Sequence, residues 1–154
     1  MSKLAEYRDP RFLALAPARR VGLLLGLSRE ASQSELALAA EVAQGLPAES
    51  IGHLIDLLGR SAVIGPLVPE TSFRRATSKA RLSRDLGDRI VGVTRVVDAV
   101  ARVYHGDRDL MLNFLSGPHM LLDGRSALDL ASSSVTGAMA VLEVVEQAEA
   151  GFPV

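Results

Sequence analysis

From Ser83 to Tyr104 apolar side chains return at steps of three and four: Leu86, Ile90, Val93, Val97, Val100 and Tyr104. That spacing is one face of an α-helix, and strand-type alternation fails over the same stretch. The segment is rich in Val, a weak helix former alone, so packing against neighbours has to hold the helix. Ser83 is placed to cap its start and Gly106 to end it.

The flanking sequence also reads as helices. Ser34 can cap a helix running to Gln44, with Leu36, Leu38, Ala39, Val42 and Ala43 apolar and Gly45 at its end. Pro47 suits the first turn of the next helix, which carries Ile51, Leu54, Ile55 and Leu58 on one face and stops at Gly59. Gly65, Pro66 and Pro69 limit residues 60–69 to a turn or two of helix, and Glu70 to about Ala76 reads as another short helix. Beyond Gly106, Asp107 can cap a helix to Ser116. Ser126 and Asp129 resemble a capping box, and a last helix is expected from about Thr136 to Ala150 with Met139, Val141, Leu142, Val144 and Val145 apolar. No strand pair is evident, so the fold class is all-α. We divide the chain into a partly ordered extension at 1–33, a helix-turn-helix-like region at 34–82, a long connecting and dimerisation helix at 83–106, and a C-terminal domain at 107–154.

With 154 residues the chain is long enough to bury a core without metal or disulfide. It contains no Cys, which excludes thiolate metal sites and thiol nucleophiles and fits a reducing compartment. Pro10 and Pro17 break the N-terminal pattern, and the apolar run Val21 to Leu27 is too short to span a bilayer. Aromatic residues make up only 4%, which argues against stacking on exposed bases. The net charge is −1, yet it is unevenly distributed. Between Arg60 and Arg95 eight basic residues face three acids; from Leu110 onward Arg125 is the one base against five acids. Two surfaces with different partners are expected.

Enzyme signatures are missing. There is no phosphate loop, dinucleotide fingerprint or nucleophile elbow. His53, His105 and His119 lack ligand-like spacing, so no metal or cofactor is expected; His105 suits a helix C-terminus. Asp85 and Asp88 read as dipole-complementing acids in a first turn. The basic middle is more informative. Two short helices separated at Gly65–Pro66, the second containing Thr71, Ser72, Phe73, Arg74 and Arg75, have the layout of a helix-turn-helix. Phe73 would face the core, Arg side chains can fork onto guanine, and Lys79 and Arg81 follow where phosphates would lie. A solvated basic loop accounts for the same residues without DNA.

One further pattern runs through the C-terminal part. Phe114-Leu115, Pro118, Leu122-Asp123-Gly124-Arg125-Ser126, Leu128-Asp129-Leu130 and Gly137 resemble the toxin-binding domain of the Xre/MbcA/ParS antitoxins. Upstream, Ala43-x-Gly45-Leu46-Pro47, Leu57-Leu58-Gly59, Ser72-Phe73-Arg74-Arg75 and Arg81-Leu82-Ser83 are similar to that family's helix-turn-helix region. Phe114 stands where many members have Trp, Ala127 where they have Pro, and Leu67-Val68-Pro69 where they have Gly-Ile-Ser.

The resemblance implies a cytoplasmic bacterial antitoxin of a type II pair, without catalysis of its own. Its toxin would be a RES-domain enzyme that degrades NAD⁺, occluded by the antitoxin's C-terminal domain. The antitoxin would form a homodimer within a larger complex and repress its operon through operator DNA. Toxin contact is expected at Asp123, Gly124, Arg125, Glu143, Glu146, Gly151 and Phe152, from exposure and charge. DNA contact is expected at Thr71, Ser72, Arg74, Arg75, Lys79 and Arg81. A stand-alone regulator or adaptor of the same family, with no toxin, is the alternative.

Overall fold

A computed structural model describes residues 2–76 and 80–151. The described residues are helical, with no strand beyond isolated bridges, so the fold is all-α. A 3-10 helix, Lys3–Arg8, leads into α1 (Pro10–Leu13), α2 (Pro17–Leu25), α3 (Arg29–Ser32), α4 (Glu35–Gln44) and α5 (Glu49–Leu58). Then come α6 (Arg60–Val63), α7 (Glu70–Arg75) and the 20-residue α8 (Arg84–Val103). The chain ends with α9 (Arg108–Ser116), a 3-10 turn at Met120–Leu122, α10 (Ala127–Ser133) and α11 (Val135–Glu149).

The long periodic segment is the axis of the molecule. Helix α8 starts at Ser83, whose hydroxyl accepts from the Leu86 amide. Ile90, Val93, Val96, Val97 and Ala99 lose all solvent contact. Helices α2 and α4 pack on α8 from one part of the chain, α10 and α11 from the other, with α9 also touching it. The apolar face of α8 is enclosed by its own chain. On its polar face Asp85, Asp88 and Arg95 stay accessible.

The capping residues read from sequence sit where expected. The Ser34 hydroxyl accepts from Ala37, Asp107 from Leu110, and Ser126 from Asp129. Each satisfies an amide that the first turn leaves open. Pro47 differs from expectation. It precedes the helix and pairs in a bridge with Arg81, because the chain returning from α7 lies along this entry. Leu36, expected on the apolar face of α4, projects into solvent, whereas Leu38 and Val42 are buried.

The largest difference lies before Ser34. Instead of a partly ordered extension, this segment supplies a 3-10 helix, three α-helices and part of the core: Leu4, Tyr7, Val21, Leu24 and Leu25 are all buried. The Tyr7 hydroxyl donates to Asp98 at 2.6 Å, and Arg20 reaches the same carboxylate at 2.9 Å. Arg20 also donates to the carbonyls of Leu13 and Leu15, which hold the chain between α1 and α2. Phe12 meets the Tyr7 ring edge-on at 4.9 Å. At the far end of α8, a side chain on Gly106 would lie within 1.9 Å of the Leu4 carbonyl, so only glycine lets the N-terminal turn dock there. Proline breaks and scattered arginines hid an ordinary helical layer.

Candidate functional site

Helices α9, α10 and α11 form one unit on the C-terminal half of α8. Met111 and Leu115 of α9, Ala127 and Ala131 of α10, and Ala138, Val141 and Val145 of α11 build its core. Helices α10 and α11 join through Ser134, whose hydroxyl accepts from the Gly137 amide at 2.9 Å. A Cβ on Gly137 would fall 2.2 Å from the Leu130 carbonyl oxygen, so this close crossing requires glycine. Phe114 lies between two rings, with Tyr104 at 6.2 Å and His119 at 5.8 Å.

The connection from α9 to α10 is a rigid projection. Pro118 and Ser126 bridge its base. The His119 carbonyl accepts from Leu122 and Gly124, and its ring nitrogen Nδ1 accepts from the Leu121 amide. Asp123 and Gly124 are both left-handed, with φ of 55° and 77°. Leu122 is buried beneath the turn, which packs against α11. On its outside Met120 is 90% exposed and Leu121 55%, with Leu110 of α9 also open to solvent. Arg125 is not free: it pairs with Asp129 of α10 at 3.2 Å.

Helix α11 presents a different surface. Thr136, Met139, Ala140, Leu142, Glu143 and Glu146 line a shallow groove along it. Met139, expected among the apolar core residues, is 64% exposed, because Ala138 and Val141 take the inward positions. Glu143 and Glu146 are exposed and have no ion-pair partner among the described residues. Exposed Gly151 follows the helix with φ of 87°. Phe152 lies outside the described residues.

Residues 99–151 match the family model of the antitoxin Xre/MbcA/ParS C-terminal toxin-binding domain. The match opens within α8, takes in α9, the projecting turn, α10 and α11, and closes at Gly151. The close crossing at Gly137 and the Phe114–His119 contact both lie within the matched segment. The C-terminal unit is thus related to the toxin-binding domains of toxin–antitoxin systems, and the turn and α11 are its accessible faces. No curated protein matches the chain.

The residues expected to meet DNA lie outside the matched segment. Thr71, Ser72, Arg74 and Arg75 are exposed on α7. Pro69 precedes that helix and gives it no side-chain cap. Glu70 binds Arg60 at 3.0 Å and Arg74 at 3.5 Å, and the Arg60 guanidinium sits 5.2 Å above the half-buried Phe73 ring. Arg75 has no ion-pair partner among the described residues. Arg81 is already engaged, donating to the Gly45 carbonyl at 2.8 Å and to Glu41 at 3.2 Å, so it closes the end of α4. Lys79 lies outside the described residues.

Sequence reasoning did not single out Met120 or Met139 as surface residues. An apolar residue beside a predicted turn, with no helical neighbours to cover it, was the available signal for Met120. No cluster of three potential metal ligands occurs among the described residues, and none of their helices is long and apolar enough to cross a membrane.

Proposed function

We propose that this protein is the antitoxin of a type II toxin–antitoxin pair. It inhibits by covering the active-site cleft of a RES-domain, NAD⁺-degrading toxin, so that the dinucleotide cannot enter. The observation that carries this reading is the match over residues 99–151 on a unit with two accessible faces. One is the projecting turn with Met120, Leu121 and Asp123; the other is the face of α11 with Glu143 and Glu146. Gly151 and Phe152 would extend the second. The acids on α11 favour a toxin whose nucleotide-binding cleft is basic.

The same chain would bind its operator through α6 and α7 as a cytoplasmic homodimer within a larger complex with the toxin. Exposed Thr71, Ser72 and Arg75 support base or phosphate contact there. A regulator or adaptor without a toxin is the second reading, favoured only by that basic surface. Co-expression with the adjacent gene product tests the proposal. The expected outcome is a stable complex, weakened by alanine at Met120 and Leu121 together. Unchanged inhibition after such changes across both the turn and α11 would remove these faces from the interface.

A further inference from the structure

Along α11, Val135, Met139 and Leu142 follow one another at steps of four and three, and the first two are exposed. Beside them runs a second hollow, floored by Val91 and Gly92 of α8 and Ala138 of α11. The helices can approach this closely because a Cβ at Gly92 would already stand 3.1 Å from that of Ala138. Met139 and Leu142 line both grooves, so the two flank these residues as parts of one apolar face, called the trough below.

The rim of the trough is acidic. Asp88 and Glu35 stand on the α8 and α4 side, Glu143 and Glu146 on the outer side. Among the described residues, the cation that lines the rim is Arg95, and it is already bound to Glu35. Helices α10 and α11 contain no Lys, Arg or His. With Glu35 and Arg95 offsetting each other, the three carboxylates Asp88, Glu143 and Glu146 favour a cationic occupant. They disfavour a second copy docked through the same face, since a two-fold axis would set Glu143 and Glu146 against their equivalents.

We infer that the trough between α8 and α11 takes a basic amphipathic segment of the toxin, with its apolar side chains around Met139 and its Lys or Arg residues along the acidic rim. The inference rests on the toxin-binding reading of residues 99–151 and adds the chemistry of the segment that docks there. Apolar contact at Met139 holds the segment. The flanking charges orient it and speed its arrival, and salt weakens that part.

A synthetic peptide of about four helical turns, Leu on one face and Lys along its flanks, serves as the probe. It is titrated into the isotope-labelled full chain and followed by amide NMR shifts. Shifts confined to residues 135–146 and 88–95 and to Glu35 with its immediate neighbours are expected. Met139→Ser should weaken binding about tenfold, a loss of about 1.4 kcal/mol. The double change Glu143→Gln with Glu146→Gln should weaken it and flatten its salt dependence. No binding, shifts elsewhere, or equal binding of a peptide with Glu in place of Lys would overturn the inference. So would a chain dimer that covers the trough. The peptide must also compete with the toxin. A toxin complex that the peptide does not disturb overturns this docking mode alone; no toxin complex at all overturns the antitoxin reading, and with it the toxin as the source of the segment.

Discussion

The hydroxyl of Tyr7 and the carboxylate of Asp98 meet at 2.6 Å across 91 positions of sequence, and both groups are buried. Arg20 completes the cluster, and Arg102 links the same carboxylate to Glu149 at the end of α11. The N-terminal helices are thereby tied to the helix on which the C-terminal unit packs. Burial, reinforced by the Asp98 charge, pushes the Tyr7 phenol far above its ordinary range, so it remains a donor.

Removing either partner should be costly, but unequally. Tyr7→Phe deletes one hydrogen bond to a charged group and is expected to cost about 1.5–3 kcal/mol. Asp98→Ala strands the buried Arg20 charge and is expected to cost about 3–5 kcal/mol. Urea denaturation of the two variants checks the order. Equal and small losses would mean the cluster is not a structural tie.

Two helical glycines should respond with opposite sign. Gly137→Ala drives a methyl group against the Leu130 carbonyl, and its overpacking cost of about 1–3 kcal/mol outweighs the better helix propensity of alanine. Gly52 in the exposed face of α5 has nothing within 4 Å of an added Cβ, so Gly52→Ala should stabilise by up to about 1 kcal/mol. Thermal unfolding of both variants decides the matter.

Stability should fall on mild acidification. Burial, and then the nearby Lys3 ammonium, hold His53 below its ordinary 6.5, with Asp56 and Glu49 opposing. Lys3 donates to Nδ1 of that ring at 2.6 Å. The unfolded chain then binds the extra proton first, so stability declines as pH drops from 6.5 toward the folded value. Lys3→Met should make the decline shallower. A flat unfolding midpoint between neutral pH and the onset of carboxylate titration would contradict this.

Arg75 and Arg81 should separate in DNA binding. If Arg75 meets a phosphate, Arg75→Ala should reduce the slope of log affinity against log salt by about 0.9. Arg81→Ala should instead loosen the end of α4, lowering stability while leaving the slope close to that of the parent. Operator binding across a salt series, with unfolding measured in parallel, distinguishes the two.

The helical fold was legible because its periodicity and caps are local. Ser34, Ser83, Asp107 and Ser126 each bond within three residues of themselves, and such signals need no tertiary knowledge. The core role of the N-terminal segment was not legible, since it depends on Tyr7 and Arg20 finding a carboxylate on a distant helix. The segment that matches the toxin-binding family model was recognisable from its ordered motif. The outward position of Met139 was harder to read, because it lies in an apolar run in which Ala138 and Val141 take the inward positions.

The most direct measurement is NAD⁺ consumption by the proposed RES-domain toxin, with and without a stoichiometric amount of this protein. Consumption is expected to stop when the complex forms, and to return when Met120, Leu121, Met139, Glu143 and Glu146 are changed together. A stable complex that consumes NAD⁺ as fast as the free enzyme would contradict occlusion of the active site.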